Sequence, residues 1–226
     1  MPYVTSAPRV VRANRRFDGD ADHPKAHHGW FYSWKLSAQI PYRGTLANVF
    51  LSLAEAHPAV LHTLHRTDPI DWWDGTAWRQ YHPRYRLVLK TRTRGLVRHV
   101  DVEVISKQQL ERQAERYRRI KREFRFAHRI LTVLTGEQLL IEPRNTNVQF
   151  ILSQAGDGIA TDEERSLILQ IAIATRRFSL NEIVAAGTLS YARAYCATLN
   201  LVATGELKFG LGRLFDGDTP IWRAWQ

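Results

Sequence analysis

The segment from Leu96 to Ile105 (LVRHVDVEVI) constrains the fold most, because apolar and polar side chains alternate along it. Alternation with a period of two is typical of a β-strand whose two faces meet different surroundings. Residues 78–91 form an earlier strand-like run, and Arg94-Gly95 between the two runs favours a hairpin-like turn. The alternation puts Val100, Val102 and Val104 on one face of the later strand and Asp101, Glu103 and Ile105 on the other.

Helical periodicity flanks these strands. Residues 44–64 and 108–127 carry apolar side chains at three- and four-residue steps, which predicts two amphipathic helices. Residues 68–75 (DPIDWWDG) predict a turn, and residues 130–134 (ILTVL) predict a short buried strand. A capping box, Thr135-x-x-Gln138, then opens another helical turn. The order helix, strand, strand, helix, strand, helix predicts a mixed α/β domain.

The last seventy residues have a different pattern. Capping boxes begin at Thr161 and Ser179, and Ser190 is placed to cap a third helix that ends before Gly205. A glycine-bearing hairpin follows, and three capped helices with a β-hairpin are the plan of a winged helix. The residues expected to touch DNA lie at the start of the third helix and on the wing: Tyr191, Arg193, Tyr195, Lys208 and Arg213.

These patterns divide the chain into three parts. Residues 1–29, rich in Pro, Gly and His, are expected to form an irregular arm, residues 30–155 the α/β domain and residues 156–226 the winged-helix domain. Cys196 is the one cysteine, which excludes an internal disulfide framework and a cysteine-built zinc site. No apolar run approaches the roughly 18–20 residues that span a bilayer. The simplest expectation is a reduced, cytoplasmic setting without a membrane partner.

The charge indicates a polyanionic partner. The chain has 32 Lys and Arg against 22 Asp and Glu, a formal net charge of +10. Double-stranded DNA is the favoured partner, with an anionic membrane surface or simple solubility as alternatives. Much of the excess lies on the predicted helix at 108–127, whose cations either contact phosphate or form a solvated face. Its candidate DNA-binding residues are Arg112, Arg116, Arg119 and Arg122.

An α/β core with these two strands invites comparison with metal-dependent nucleases. Their pattern needs a Glu on the first helix, an Asp after Pro on one strand and Asp/Glu-x-Lys on the neighbouring strand. The acids hold Mg²⁺ on the scissile phosphate, and the Lys stabilises charge or orients the attacking water.

Five motifs in order carry a resemblance to one such family over nearly the whole chain. They are Phe31-Tyr-Ser-Trp-Lys35 with Ile40-Pro-Tyr42, Ala56-His-Pro58-Ala-Val60, Tyr81-His-Pro83-Arg84-Tyr85, Val100-Asp-Val-Glu103-Val104-Ile105, and the helix–strand–helix from Arg116 to Asn147. The chain resembles the TnsA-type transposon endonucleases. The resemblance implies a restriction-endonuclease-like domain, a winged-helix-like C-terminal domain, and Mg²⁺-dependent cleavage at transposon 5′ ends beside a DDE-type recombinase and an AAA+ ATPase.

The chain departs from the family at the catalytic positions. Arg43-Gly44 and Ala47 replace the helix acids, Arg84 replaces the Asp, Ile105 replaces the Lys, and of the pattern's residues Glu103 remains. A guanidinium cannot ligate a metal, and one carboxylate alone is a poor Mg²⁺ site. We therefore expect no metal at this position. Instead, Arg43 and Arg84 are expected to pair with Glu103 as a structural salt bridge.

Three functions follow as hypotheses. The first is a catalytically inactive TnsA-like DNA-binding or assembly protein that needs no cofactor. The second is an active Mg²⁺-dependent endonuclease with a migrated site at Asp101, Glu103 and Lys107. The third is a DNA-binding regulator that acts through the winged helix.

Overall fold

The computed structural model describes residues 27–91, 93 and 95–224. Most of the predicted arm, residues 1–26, lies outside this part of the chain. Its last two residues are not irregular, because β1 (His28–Ser33) begins there and pairs antiparallel with β2 (Ala38–Arg43). Backbone hydrogen bonding to β2 decides the conformation of these two residues, which their composition alone did not indicate.

The helix predicted over residues 44–64 ends early. The helix α1 (Thr45–Ala56) is followed by an extended residue, His57, and then by the strand β3 (Val60–His65). A residue before proline is disfavoured in the helical region, and His57 precedes Pro58. The prediction was therefore wrong for residues 60–64, where hydrogen bonding to a neighbouring strand replaces the helix.

Half of the predicted turn over residues 68–75 is a strand. A small antiparallel hairpin joins β4 (Ile70–Trp73) to β5 (Trp78–Tyr81), and the turn itself is confined to Asp74 and the residues after it. The tryptophan-rich run pairs with a second strand that sequence periodicity could not identify as its partner.

A four-stranded mixed sheet forms the centre of the first two thirds of the chain. The strands β6 (Tyr85–Lys90), β7 (Val97–Val104) and β8 (Leu131–Leu134) join β3 in the order β3-β6-β7-β8. The first two pairings are antiparallel and the last is parallel. The mixed α/β class predicted from the sequence is thus confirmed.

Helices cover both faces of this sheet. The predicted helix at 108–127 is two helices, α2 (Lys107–Arg112) and α3 (Ala114–Phe126), because Gln113 between them is not helical. Val102 and Val104 pack with α1 on one face, whereas Ile105 packs with α3 on the other, as the alternation predicted.

The remaining helices lead into the C-terminal part. They are α4 (Gly136–Leu139), α5 (Arg144–Ser153), α6 (Asp162–Ala174), α7 (Leu180–Ala185) and α8 (Tyr191–Ala203), followed by the paired strands β9 (Leu207–Phe209) and β10 (Ile221–Arg223). The capping boxes at Thr135, Thr161 and Ser179 and the Ser190 cap are confirmed.

The C-terminal helices share their core with the α/β part. Leu199 and Leu201 of α8 belong to one buried cluster with Ala56 of α1 and with Val148 and Ile151 of α5. A hydrophobic core therefore crosses the predicted boundary at residue 155. Within the described residues, no helix is long and apolar enough to cross a membrane.

Candidate functional site

Glu103 lies where the sequence comparison expected a catalytic acid, and it is ion-paired. The register of β6 and β7 sets Tyr85 opposite Val102, so the residue before Tyr85 comes beside Glu103. The Arg84 Nε lies 3.2 Å from the Glu103 Oε1, and the Glu103 side chain is only 6% exposed. The expected salt bridge between Arg84 and Glu103 is confirmed. A guanidinium therefore occupies the side of this carboxylate that faces the strand β6.

The other oxygen of Glu103 also has a protein partner. The Tyr81 hydroxyl, from the end of β5, donates a hydrogen bond of 2.8 Å to the Glu103 Oε2. Burial, followed by the negative charge of Glu103, raises the pKa of Tyr81 well above its ordinary value, so the hydroxyl stays a donor. Tyr81 belongs to the buried cluster under α3, and this packing closes the carboxylate off from solvent.

A histidine lies beside the same arginine. His65 is opposite Tyr85 in the strand register, with ring centroids 5.7 Å apart. Burial first, then the positive charges of Arg66 and Arg84, lower the pKa of His65 to about 4. The imidazole is thus neutral at pH 7, and the positive charge around Glu103 comes from guanidinium groups.

Asp101, two residues before Glu103 on the same face, forms a separate buried cluster. Its carboxylate accepts from Arg86 Nε at 2.9 Å and from the Thr67 hydroxyl at 2.9 Å, and Arg129 Nη2 lies 3.0 Å away. Asp101 is only 2% exposed. These contacts join β7 to β6, to the loop after β3 and to the loop before β8, so Asp101 holds these segments together.

The three residues of the migrated site do not have common partners. Lys107 begins α2 on the surface, and its Nζ lies 2.7 Å from the Glu137 Oε1, whereas Asp101 and Glu103 are buried with arginines. In the described part of the chain, no group of three or more His, Cys, Asp or Glu side chains is placed to hold a metal ion.

The other positions that the resemblance assigned to catalysis lie around α1 and the sheet. Arg43 ends β2 and is paired in register with His28, and Ala47 is buried in α1. Ile105 is 7% exposed and packs with Tyr117 and Ile120 of α3. A buried apolar side chain therefore stands where the resemblance placed a lysine.

Some arginines of α2 and α3 contact the β4–β5 hairpin, and others extend into solvent. Arg119 donates to the Asp74 carbonyl at 2.7 Å and to Glu115 at 3.0 Å, and the Arg116 guanidinium lies 5.8 Å from the centre of the Trp72 ring. Arg112 is exposed at the end of α2. Arg122 is also exposed and pairs with Glu123. Residues 107–129 carry nine Lys and Arg against three Glu, so the surface stays strongly positive.

Some of the residues predicted to contact DNA in the C-terminal part have partners within the protein. Arg193 forms a two-pronged ion pair with Glu164 of α6, and Tyr195 packs on Phe215 with ring centroids 5.8 Å apart. Tyr191 is 45% exposed. The Lys208 ammonium donates to the Ala224 carbonyl at 3.1 Å.

Most of α8 is buried beyond its first turn. Ala194 and residues 197–203 are all buried, whereas Tyr191 and Ala192 at the helix start are exposed. Arg213, in the loop between β9 and β10, is exposed as well. Of the DNA contacts predicted in this part, Tyr191 and Arg213 are therefore the exposed ones.

Sequence reasoning missed several partners of the two acids. Tyr81, Arg86, Arg129 and Thr67 all contact Asp101 or Glu103. Tyr81 lies within the motif Tyr81-His-Pro83-Arg84. Predicting that a strand ends at Tyr81 would have marked this residue as a candidate partner of Glu103. Nothing in the local pattern marked Arg129 or Thr67, because both reach Asp101 from loops.

A third buried acid was also missed. Glu55 of α1 accepts from the Ser33 hydroxyl and from the Lys35 backbone N–H, each at 2.8 Å. The Lys35 ammonium donates to the His57 carbonyl at 2.7 Å. Burial lowers the pKa of Lys35 to about 8, a shift that the Glu55 charge opposes. This cluster ties the β1–β2 hairpin to the end of α1.

Comparison with known proteins adds no relative. No protein-family model matches the chain, and no curated protein matches it.

Proposed function

We propose that the protein is a catalytically inactive TnsA-like DNA-binding and assembly protein of a transposition or mobile-element system. The observation that carries the proposal is the salt bridge between Arg84 and Glu103. In an active nuclease of this pattern, the residue after the proline and the acid on the neighbouring strand hold one metal ion. Here the first of these positions carries a permanent positive charge, which repels a divalent cation from the second.

The order of elements supports the nuclease-derived part of the proposal. A helix, α1, precedes two antiparallel strands, β6 and β7, and these strands carry neighbouring residues at the positions that the nuclease pattern uses. This arrangement supports a restriction-endonuclease-like domain. An isolated antiparallel bridge joins Phe178 to Ile221 of β10, beside the β9–β10 pair and three helices, which supports a winged-helix arrangement.

The charge distribution supports DNA as the partner. Residues 107–129 carry a surplus of six positive charges within 23 residues, out of +10 for the whole chain. A positive surface of this density attracts the DNA backbone, and each neutralised phosphate releases counterions. Arg112 and Arg122 are exposed and belong to this surface. Assembly with a DDE-type recombinase and an AAA+ ATPase remains part of the proposal through the resemblance alone.

A plasmid-nicking assay tests the catalytic half of the proposal. Supercoiled plasmid is incubated with the protein in Mg²⁺ or Mn²⁺, and we expect no nicking above the level of a Glu103→Ala control. Cleavage that disappears in the Glu103→Ala variant would contradict the proposal. If Lys107→Ala also abolished it, the migrated site at Asp101, Glu103 and Lys107 would explain the activity.

A salt titration tests the DNA-binding half. We expect the affinity for duplex DNA to fall on the order of 10³-fold between about 50 and 200 mM salt, as for several phosphate contacts. Replacing Arg112 and Arg122 by Gln is expected to make this dependence shallower. Arg98→Gln, an exposed arginine on β7, is the matched control. Affinity that does not change with salt would contradict phosphate contact.

The regulator hypothesis is favoured by one observation, the exposed first turn of α8. Because α8 shares its core with α1 and α5, the test uses the full chain rather than a fragment. We expect Tyr191→Ala to weaken binding to one DNA sequence selectively if the winged helix acts as the reader. A uniform loss across sequences would exclude sequence reading by Tyr191.

A further inference from the structure

Two tryptophans are exposed side by side at the tip of the β4–β5 hairpin. Trp73 and Trp78 are directly opposite each other in the strand register, with ring centroids 5.8 Å apart and ring planes at 63°. Trp73 is 39% exposed and Trp78 is 66% exposed. The neighbouring residue Trp72 points the other way and is buried under α3, so the hairpin has one packed face and one open aromatic face.

The tip that carries these rings is held rigidly by Asp74. Its Oδ1 accepts from the backbone N–H groups of Thr76 and Ala77 at 2.7 and 2.8 Å, and its Oδ2 accepts from Arg79 at 2.7 Å. Gly75 has φ +112°, a conformation that residues with a Cβ rarely adopt. The hairpin therefore presents the two indoles in a pre-organised position.

The same tip is fastened to the positive helix α3. Arg119 donates to the Asp74 carbonyl at 2.7 Å, and the Arg116 guanidinium lies 5.8 Å from the centre of the Trp72 ring. The open aromatic face is thus joined to the helix α3, which carries six Lys and Arg against two Glu in residues 114–126. Asp74 does not offset this charge, since Arg79 pairs with it.

We propose that this hairpin binds unpaired nucleotides of DNA, with bases stacked on Trp73 and Trp78 and the adjoining phosphates held by the arginines of α2 and α3. The inference rests on the proposed DNA-binding function and narrows its substrate to DNA with a single-stranded segment. Aromatic side chains beside a cationic surface are the arrangement that single-strand-binding proteins use. Paired bases already stack on one another, so a free indole face selects unpaired bases. The positive surface favours a polyanion over a neutral sugar or peptide.

Fluorescence anisotropy with labelled DNA tests the inference. The probes are a blunt duplex, the same duplex with an overhang of about 10 nucleotides, and an RNA strand of the overhang sequence. The unmodified protein is expected to bind the overhang duplex about 10-fold more tightly than the blunt duplex. Trp78→Ala and the double variant Trp73→Ala/Trp78→Ala are expected to remove this preference and to leave blunt-duplex affinity unchanged. Trp30→Ala, a 56% exposed tryptophan on β1, is the matched control.

Each result decides between the claims. Equal, salt-sensitive binding of both duplexes, unaffected by Trp78→Ala, would overturn the inference while leaving the proposed DNA binding intact. Failure to bind any DNA would overturn both. A preference that survives the double variant would place base stacking elsewhere, and tighter binding of the RNA strand would overturn the assignment to DNA. Unchanged urea midpoints in the variants would establish that the fold is retained.

Discussion

Replacing Arg84 by Met is expected to destabilise the fold, because the buried Glu103 carboxyl then loses its guanidinium partner. Removing one member of a buried ion pair typically costs about 3–5 kcal/mol. Arg84 is 25% exposed, and the Tyr81 hydroxyl still donates to Glu103. We therefore expect a loss of about 2 kcal/mol in the free energy of unfolding. For a chain of this size, that corresponds to a decrease of about 4–8 °C in Tm.

Urea unfolding followed by circular dichroism at pH 7 measures this loss. The matched control is Arg79→Ala, whose contact with Asp74 is shorter, at 2.7 Å, but involves an arginine side chain that is 61% exposed. An exposed pair contributes about 0.2–1 kcal/mol, so the longer but buried contact should cost more. Arg84→Met/Glu103→Gln should be more stable than the sum of the two single losses predicts. The reasoning is refuted if Arg84→Met costs no more than Arg79→Ala, or if the double variant shows no coupling.

Three further outcomes follow from the same geometry. Between pH 6.5 and about 4 the unfolded chain takes up a proton at His65 that the folded protein, with its lowered pKa, does not, so stability should fall as the pH is lowered through this window. His65→Gln should make the pH dependence of the urea midpoint shallower there, and an unchanged slope would contradict the lowered pKa. The pKa of Lys35 is lowered to about 8, so stability should rise with pH from about 8 to 10.5, and Lys35→Met should remove that rise. Gly75→Ala should cost about 1–3 kcal/mol, since φ is +112° and the new Cβ would lie 2.9 Å from Arg119, and thermal melting would test it.

The features that the sequence determined are those whose hydrogen bonds or side-chain faces lie within a few residues. The Ser179 side chain accepts a hydrogen bond from the backbone N–H of Glu182, three residues away. The identity of these two residues is therefore enough to predict where the helix begins. The faces of β7 follow from alternation alone. The Arg84–Glu103 pair was also predictable, because the nuclease pattern that these motifs resemble places the two positions around one site.

The same local information was insufficient where two structures compete. Residues 60–64 fit a helical stripe, but the bonds that β3 makes to β6 come from residues more than twenty positions later. The run Ile70–Trp73 forms a strand by pairing with Trp78–Tyr81, and its own residues do not indicate which segment is the partner. Arg193 was expected to contact DNA, and the position of α6 also gives it Glu164 as an ion-pair partner, which the sequence did not indicate.

Composition and periodicity thus determined that this chain forms an α/β sheet with capped C-terminal helices and carries a large positive charge. Only the tertiary structure decided which cations are exposed to solvent and which form ion pairs with buried carboxylates. Arg86 and Arg129, which lie 15 and 28 residues from Asp101 in the sequence, both pair with its carboxylate. Tyr81, at the end of β5, donates a hydrogen bond to Glu103 on β7. The physical reason is that a buried carboxylate must be paired or hydrogen-bonded, and the partner is whichever group the packed elements bring within reach.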